Sequence, residues 1–71
     1  MPSSVIRDYA YDLQAGALDV TFASGRRYRY QAVPPEVVSG LERAESKGRF
    51  FNARIRDAFA FVDLTRRRLR A

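Results

Sequence analysis

Residues 25–31 read GRRYRYQ, a glycine followed by arginine and tyrosine in alternation. Two structures would produce that pattern. In one, the strand lies on a nucleic acid, with arginines on phosphates and tyrosine rings under bases. In the other, it is an ordinary sheet strand whose tyrosines turn into a core. The two differ in which face carries Tyr28 and Tyr30, and the neighbouring segments decide it. Residues 17–23, ALDVTFA, alternate cleanly, with Leu18, Val20 and Phe22 against Asp19 and Thr21, the period of a half-buried strand. Residues 4–12, SVIRDYAYD, place Tyr9 and Tyr11 on one face and Ala10 and Asp12 on the other. LQAG, ending at Gly16, and Ser24-Gly25 are turn signals, with glycine free to take positive φ. Three antiparallel strands in a meander are predicted, the third running to about Ala32.

Downstream the period changes. Pro34 and Pro35 exclude a central strand but suit a first helical turn, where Glu36 also suits the helix dipole. Val37, Val38, Leu41 and Ala44 follow at helical spacing to about Arg43. Ser46 is a plausible N-cap for a second helix that carries Phe51, Ile55 and Ala58 inward. Positions 37 to 58 also fit one unbroken helix. That helix would be about 33 Å long and would overhang strands of about 23 Å, leaving Phe51 and Ile55 uncovered. Two helices broken near Glu45–Gly48 are therefore expected. FAFVDL, residues 59–64, alternates again and reads as a short fourth strand or an extended segment. The fold class is α+β: a three-stranded antiparallel meander followed by two helices packed on one face.

Helices on one sheet face need an apolar surface beneath them. Leu18, Val20, Phe22, Tyr9 and Tyr11 supply it, so Tyr28 and Tyr30 belong on the same side. Arg27, Arg29 and Gln31 then point outward among Asp8, Asp12 and Asp19. That mixture favours cross-strand charge pairs over phosphate binding. The tyrosines are expected in the core, not on an open stacking platform.

In order along the chain stand Ser4-x-Ile6, Tyr11-Asp12, Leu18-x-Val20-x-Phe22, Ser24-Gly25, Tyr28-x-Tyr30, Val33-Pro34 and Ala44-x-Ser46-x-Gly48-x-x-Phe51-Asn52-x-x-Ile55-Arg56. Together these resemble the KTSC domain, a short bacterial module named for the C-terminus of some lysyl-tRNA synthetases and also found as a stand-alone protein. The likeness runs from residue 4 to about 61. Ala10 replaces a glycine frequent in the family, and Phe59-Ala60-Phe61 replaces a tyrosine-proline-tyrosine-like run. The resemblance implies a small α+β domain and, by association with synthetases, an RNA-binding role. It implies no catalytic residues.

Seventy-one residues make one domain with a thin core. Neither cysteine nor histidine is present, which excludes disulfides, thiolate metal sites and histidine-assisted nucleophiles. Acid–base catalysis would need a strongly shifted carboxylate, tyrosine or Lys47, the only lysine. A non-catalytic protein without cofactor or metal is expected. No segment approaches the roughly 20 apolar residues of a membrane span, and MPSSVIRDYAYD has no secretion pattern. A cytoplasmic protein is the expectation. Net charge is +5, but Arg66, Arg67, Arg68 and Arg70 fall within the last six residues. Without them nine basic residues remain against eight acidic ones. Residues 1–65 read as the domain and 66–71 as a basic tail.

Three segments are candidates for anion or nucleic-acid contact. Ser46, Lys47, Gly48 and Arg49 could hold a phosphate at a helix start, or form a plain cap with the cations balanced by Glu42 and Glu45. On the second helix, Arg49, Arg54 and Arg56 could grip a nucleic-acid backbone with Phe50 as a stacking ring. The plainer reading has Arg54 covering Phe50 with its aliphatic stem. Asn52 is expected to hydrogen-bond a nearby loop backbone. The tail arginines would bind any polyanion without sequence preference. An RNA-associated accessory module is the leading expectation, with RNA of tRNA type as the partner. A protein-interaction module that docks or forms a homodimer through a bare sheet edge is the alternative.

Overall fold

A computed structural model describes residues 6–65. Strands β1 (Ile6–Asp12), β2 (Ala17–Phe22) and β3 (Arg27–Tyr30) form the meander. Its two turns rest on residues in the left-handed region, Gly16 at φ 67° and Gly25 at φ 96°, which glycine adopts without steric cost. The Gly16 carbonyl also accepts from Val33 N–H at 2.9 Å, tying the first turn to the chain that leaves β3. Helices α1 (Pro35–Arg43) and α2 (Lys47–Arg54) follow, and β4 (Phe61–Asp63) closes the order. The sheet is fully antiparallel in the sequence β1-β2-β3-β4.

Register settles where the tyrosines point. Leu18 lies between Tyr11 and Tyr30, and Val20 between Tyr9 and Tyr28, so all six side chains share one face. That face meets Val38, Leu41, Phe51 and Ile55 from the helical segment, and Tyr30 is only 2% exposed. Tyr9, Tyr11 and Tyr28 are half-buried around this core. Tyr11 donates its hydroxyl to the Val33 carbonyl at 2.6 Å, so its polar end is satisfied as its ring packs. On the opposite face Asp19 stands directly across from Arg29.

Several boundaries differ from the sequence-based expectation. β3 stops at Tyr30, because Ala32 takes φ 55° and turns the chain away beside Gly16. The helix break falls at 44–46, at the early end of the expected Glu45–Gly48 region, with Ser46 the N-cap of α2 as expected. α2 ends at Arg54, and Ala58 is exposed instead of packed. The Phe51 carbonyl accepts from both Ile55 and Arg56 N–H, at 2.9 Å each. That shared acceptor closes the last turn, and Ile55 seals the core as the chain turns toward β4. β4 is paired with β3, with Phe61 opposite Tyr30 and Asp63 opposite Tyr28.

Ser46 caps α2, its Oγ accepting from Arg49 N–H at 3.2 Å. Ser46→Ala is expected to lower stability by about 1 kcal/mol, read as a reduced midpoint in a urea melt, whereas Ser46→Asp should retain most of it.

Candidate nucleic-acid interface

Residues 46–56 read SKGRFFNARIR: four cations and no acid. Folding divides them by direction. Phe51 and Ile55 point into the core, which turns Arg49, Asn52, Ala53 and Arg56 to solvent. Phe50 faces α1. A Cβ built at Gly40 would lie 2.6 Å from Phe50 Cζ, so glycine at that position gives the ring room to lie against α1. The Arg54 guanidinium sits 5.6 Å from the Phe50 centroid. Phe50 is thus packed between Gly40 and Arg54, a position that leaves it poorly placed to receive a base.

Lys47 extends its Nζ toward the Glu42 backbone carbonyl at 3.4 Å, near the negative end of the α1 dipole. The Ser46 hydroxyl is engaged by Arg49 N–H, and Gly48 is half-buried beside it. Arg56 Nη1 donates to Asn52 Oδ1 at 3.3 Å; this contact joins two side chains on one exposed face. Among the described residues the ion pairs are Arg29–Asp19 at 2.8 Å and Arg26–Asp63 at 4.0 Å, and neither uses a cation of α2. None of Lys47, Arg49, Arg54 and Arg56 is in an ion pair with a described residue. Arg49 and Arg56 share the solvent side and form an exposed basic strip, whereas Lys47 and Arg54 turn toward α1. Arg66, Arg67, Arg68 and Arg70 lie outside the described residues.

The outer sheet face behaves differently. Arg29 grips Asp19 with two hydrogen bonds, at 2.8 and 3.1 Å. That bond, with a further contribution from Asp12, holds the guanidinium pKa above its ordinary value. Around the pair lies a shallow depression lined by Ala10, Asp12, Ala17, Asp19, Arg29 and Gln31. With its arginine committed to Asp19 and Asp12 nearby, this surface attracts phosphate weakly.

Sequence reasoning assigned no role to Phe61. It is 50% exposed on the edge strand, with ring centroids of Tyr28 and Tyr30 at 5.0 and 5.3 Å. The signal was the alternation of FAFVDL: Phe59 packs on the core, and the next ring along the strand passes the limit of the helical cover.

Tyr30 sits at the inner end of this ring cluster. Burial, reinforced by Tyr28, pushes its phenol up to about 12. An unfolded tyrosine ionises near pH 10, so above that pH the unfolded chain releases a proton that the folded one retains. Stability contributed by the neutral phenol is complete below pH 10 and is lost as pH rises toward 12, by roughly 2–3 kcal/mol. Urea melts from pH 9 to 12 should show this decline, and Tyr30→Phe should flatten it.

The sequence model of the KTSC domain matches residues 2–59. An uncharacterised protein of Stutzerimonas stutzeri is 52% identical over 52 residues, 73% of each chain. A lysine–tRNA ligase of Nostoc punctiforme is 40% identical over 62 residues, which are 87% of this chain and 11% of that enzyme. The crystal structure of a KTSC domain protein from Yersinia pestis superposes with a TM-score of 0.81 at 32% identity, covering 89% of both chains.

Proposed function

The chain belongs to the KTSC domain family, and from that premise we propose that it is a non-catalytic, RNA-associated accessory module that holds an RNA backbone along α2. The observation that carries this reading is a run of four cations without an acid in residues 46–56, with Arg49 and Arg56 together on the solvent side. Eight helical residues span about 12 Å, enough to follow two or three phosphates of one strand. A domain 40% identical to this one forms part of a lysine–tRNA ligase, which favours tRNA as the class of RNA and the cytoplasm as the place of action.

The contact is electrostatic, so affinity rises as salt falls and base sequence matters little. Titrating unfractionated tRNA into the protein at about 50, 100 and 200 mM salt should show binding in the micromolar range at the lowest salt. Log affinity should then fall linearly with log salt. Absence of binding at the lowest salt would remove the RNA reading.

A further inference from the structure

The helical layer does not reach the whole inner face of the sheet. Phe51 packs edge-on against Phe22 and Tyr30 at 5.2 and 5.4 Å, and Phe61 extends this cluster beyond the helices. Its ring lies tilted by 34° on Tyr28 and 36° on Tyr30. Val62, the next residue, points to the other face. One side of the Phe61 ring is therefore fixed by two tyrosines, while half of its surface remains in water.

Two exposed cations stand near the residues that carry the ring. Arg26 Nη1 lies 3.4 Å from the Tyr28 hydroxyl and 4.0 Å from Asp63. Arg56, which follows α2, donates its backbone N–H to the Phe51 carbonyl. The Phe51 ring packs on Tyr30, which in turn carries Phe61; Asp57 is the residue after Arg56. Charge at the ring is nearly balanced, so the ring itself offers a place for an uncharged planar group and little for an isolated phosphate. Excess positive charge begins at Arg56 and continues along α2. An aromatic surface that opens where a basic strip ends fits a single strand, with phosphates on the strip and a base on the ring.

We propose that Phe61 is the stacking seat for one unpaired base of a single-stranded RNA whose backbone follows α2. This inference rests on the RNA reading above and adds a site to it. The seat offers a π face without a hydrogen-bonding edge, so it accepts every base and discriminates by strandedness. Bases of an A-form duplex are already stacked on one another and do not reach it.

The test compares wild type, Phe61→Leu, Phe61→Ala and Phe61→Tyr on a single-stranded oligoribonucleotide of about ten nucleotides and on a blunt duplex of equal length. Phe61→Ala and Phe61→Leu should weaken single-strand binding by roughly ten-fold, within the range for loss of one stacked base. Duplex affinity and the salt slope should stay unchanged, and Phe61→Tyr should bind like wild type. Phe61→Leu keeps the edge filled, so it carries the test if the alanine variant unfolds. If wild type binds neither RNA, the RNA reading and the seat fall together. If reversing Arg49 and Arg56 abolishes binding while Phe61→Leu binds like wild type, the strip stands and the seat is overturned. A salt-resistant dimer in sedimentation that Phe61→Leu dissociates would also overturn it, by giving the ring a second copy of the chain as its occupant.

Discussion

Tyr30→Ala should cost about 3–5 kcal/mol, the range for emptying a large aromatic site in a core. Its side chain is 2% exposed, with Phe51 at 5.4 Å, Phe61 at 5.3 Å and Tyr28 at 6.4 Å between ring centroids. Leu18, opposite it on β2, is fully buried. Truncation would leave a void bounded by a helix and two strands, which cannot all close on it together. A domain of 71 residues commands only roughly 4–10 kcal/mol in total, so this change removes a large share of its stability. The arginines on either side of Tyr30's strand neighbour provide the contrast. Arg27 is exposed, and its replacement by alanine should stay within about 0.5 kcal/mol. Arg29 loses a bidentate surface pair with Asp19 that water screens, so its replacement should cost far less than Tyr30→Ala. Urea midpoints of the three variants decide the matter. A Tyr30→Ala protein as stable as wild type would mean that the tyrosine face is not the core.

That contrast shows why the sheet was legible before the structure. In a strand the side-chain period is two, so one buried residue assigns its whole row. Leu18, Val20 and Phe22 fixed the inward row of β2, and the short turns at Gly16 and Gly25 carried the assignment to Tyr11 and Tyr30. Helix ends were less legible because they depend on local hydrogen bonding. Nothing in AFAF marks Arg54 as the last residue of α2; the doubly accepting Phe51 carbonyl does. The candidate site was half legible. Four cations without an acid can be counted in the sequence, and their exposure follows once Phe51 and Ile55 are inward. Of the two partners of Phe50, Arg54 was readable four residues on along the same helix, whereas Gly40 was not, since it lies ten residues away on another helix. Phe61 was missed for a related reason. How far a helical layer covers a sheet is set by helix length and angle, so the last ring of an aromatic row reads like the others until the cover is placed.

Charge reversal at Arg49 and Arg56 should have the largest effect on binding, and salt dependence separates it from the tail. Each phosphate neutralised on a single strand contributes about −0.7 to the log–log salt slope. Residues 66–71 hold four arginines, so deleting them should shrink the slope by up to roughly 3 if all four make contact. A slope of about −1 to −2 should survive in the shortened chain, the share of two or three phosphates on α2. Arg49→Glu with Arg56→Glu in that chain turns two exposed attractions into repulsions, and binding to tRNA should vanish at about 50 mM salt. Neither side chain belongs to the core, so urea midpoints should move by less than about 1 kcal/mol, which separates loss of binding from loss of fold. Lys47 and Arg54 are unsuitable for this test, because one reaches the end of α1 and the other covers Phe50. A shortened wild-type chain without tRNA affinity at low salt would assign all binding to the tail. The domain itself would then be better explained as a protein-interaction module, with the exposed β4 edge as the surface to examine.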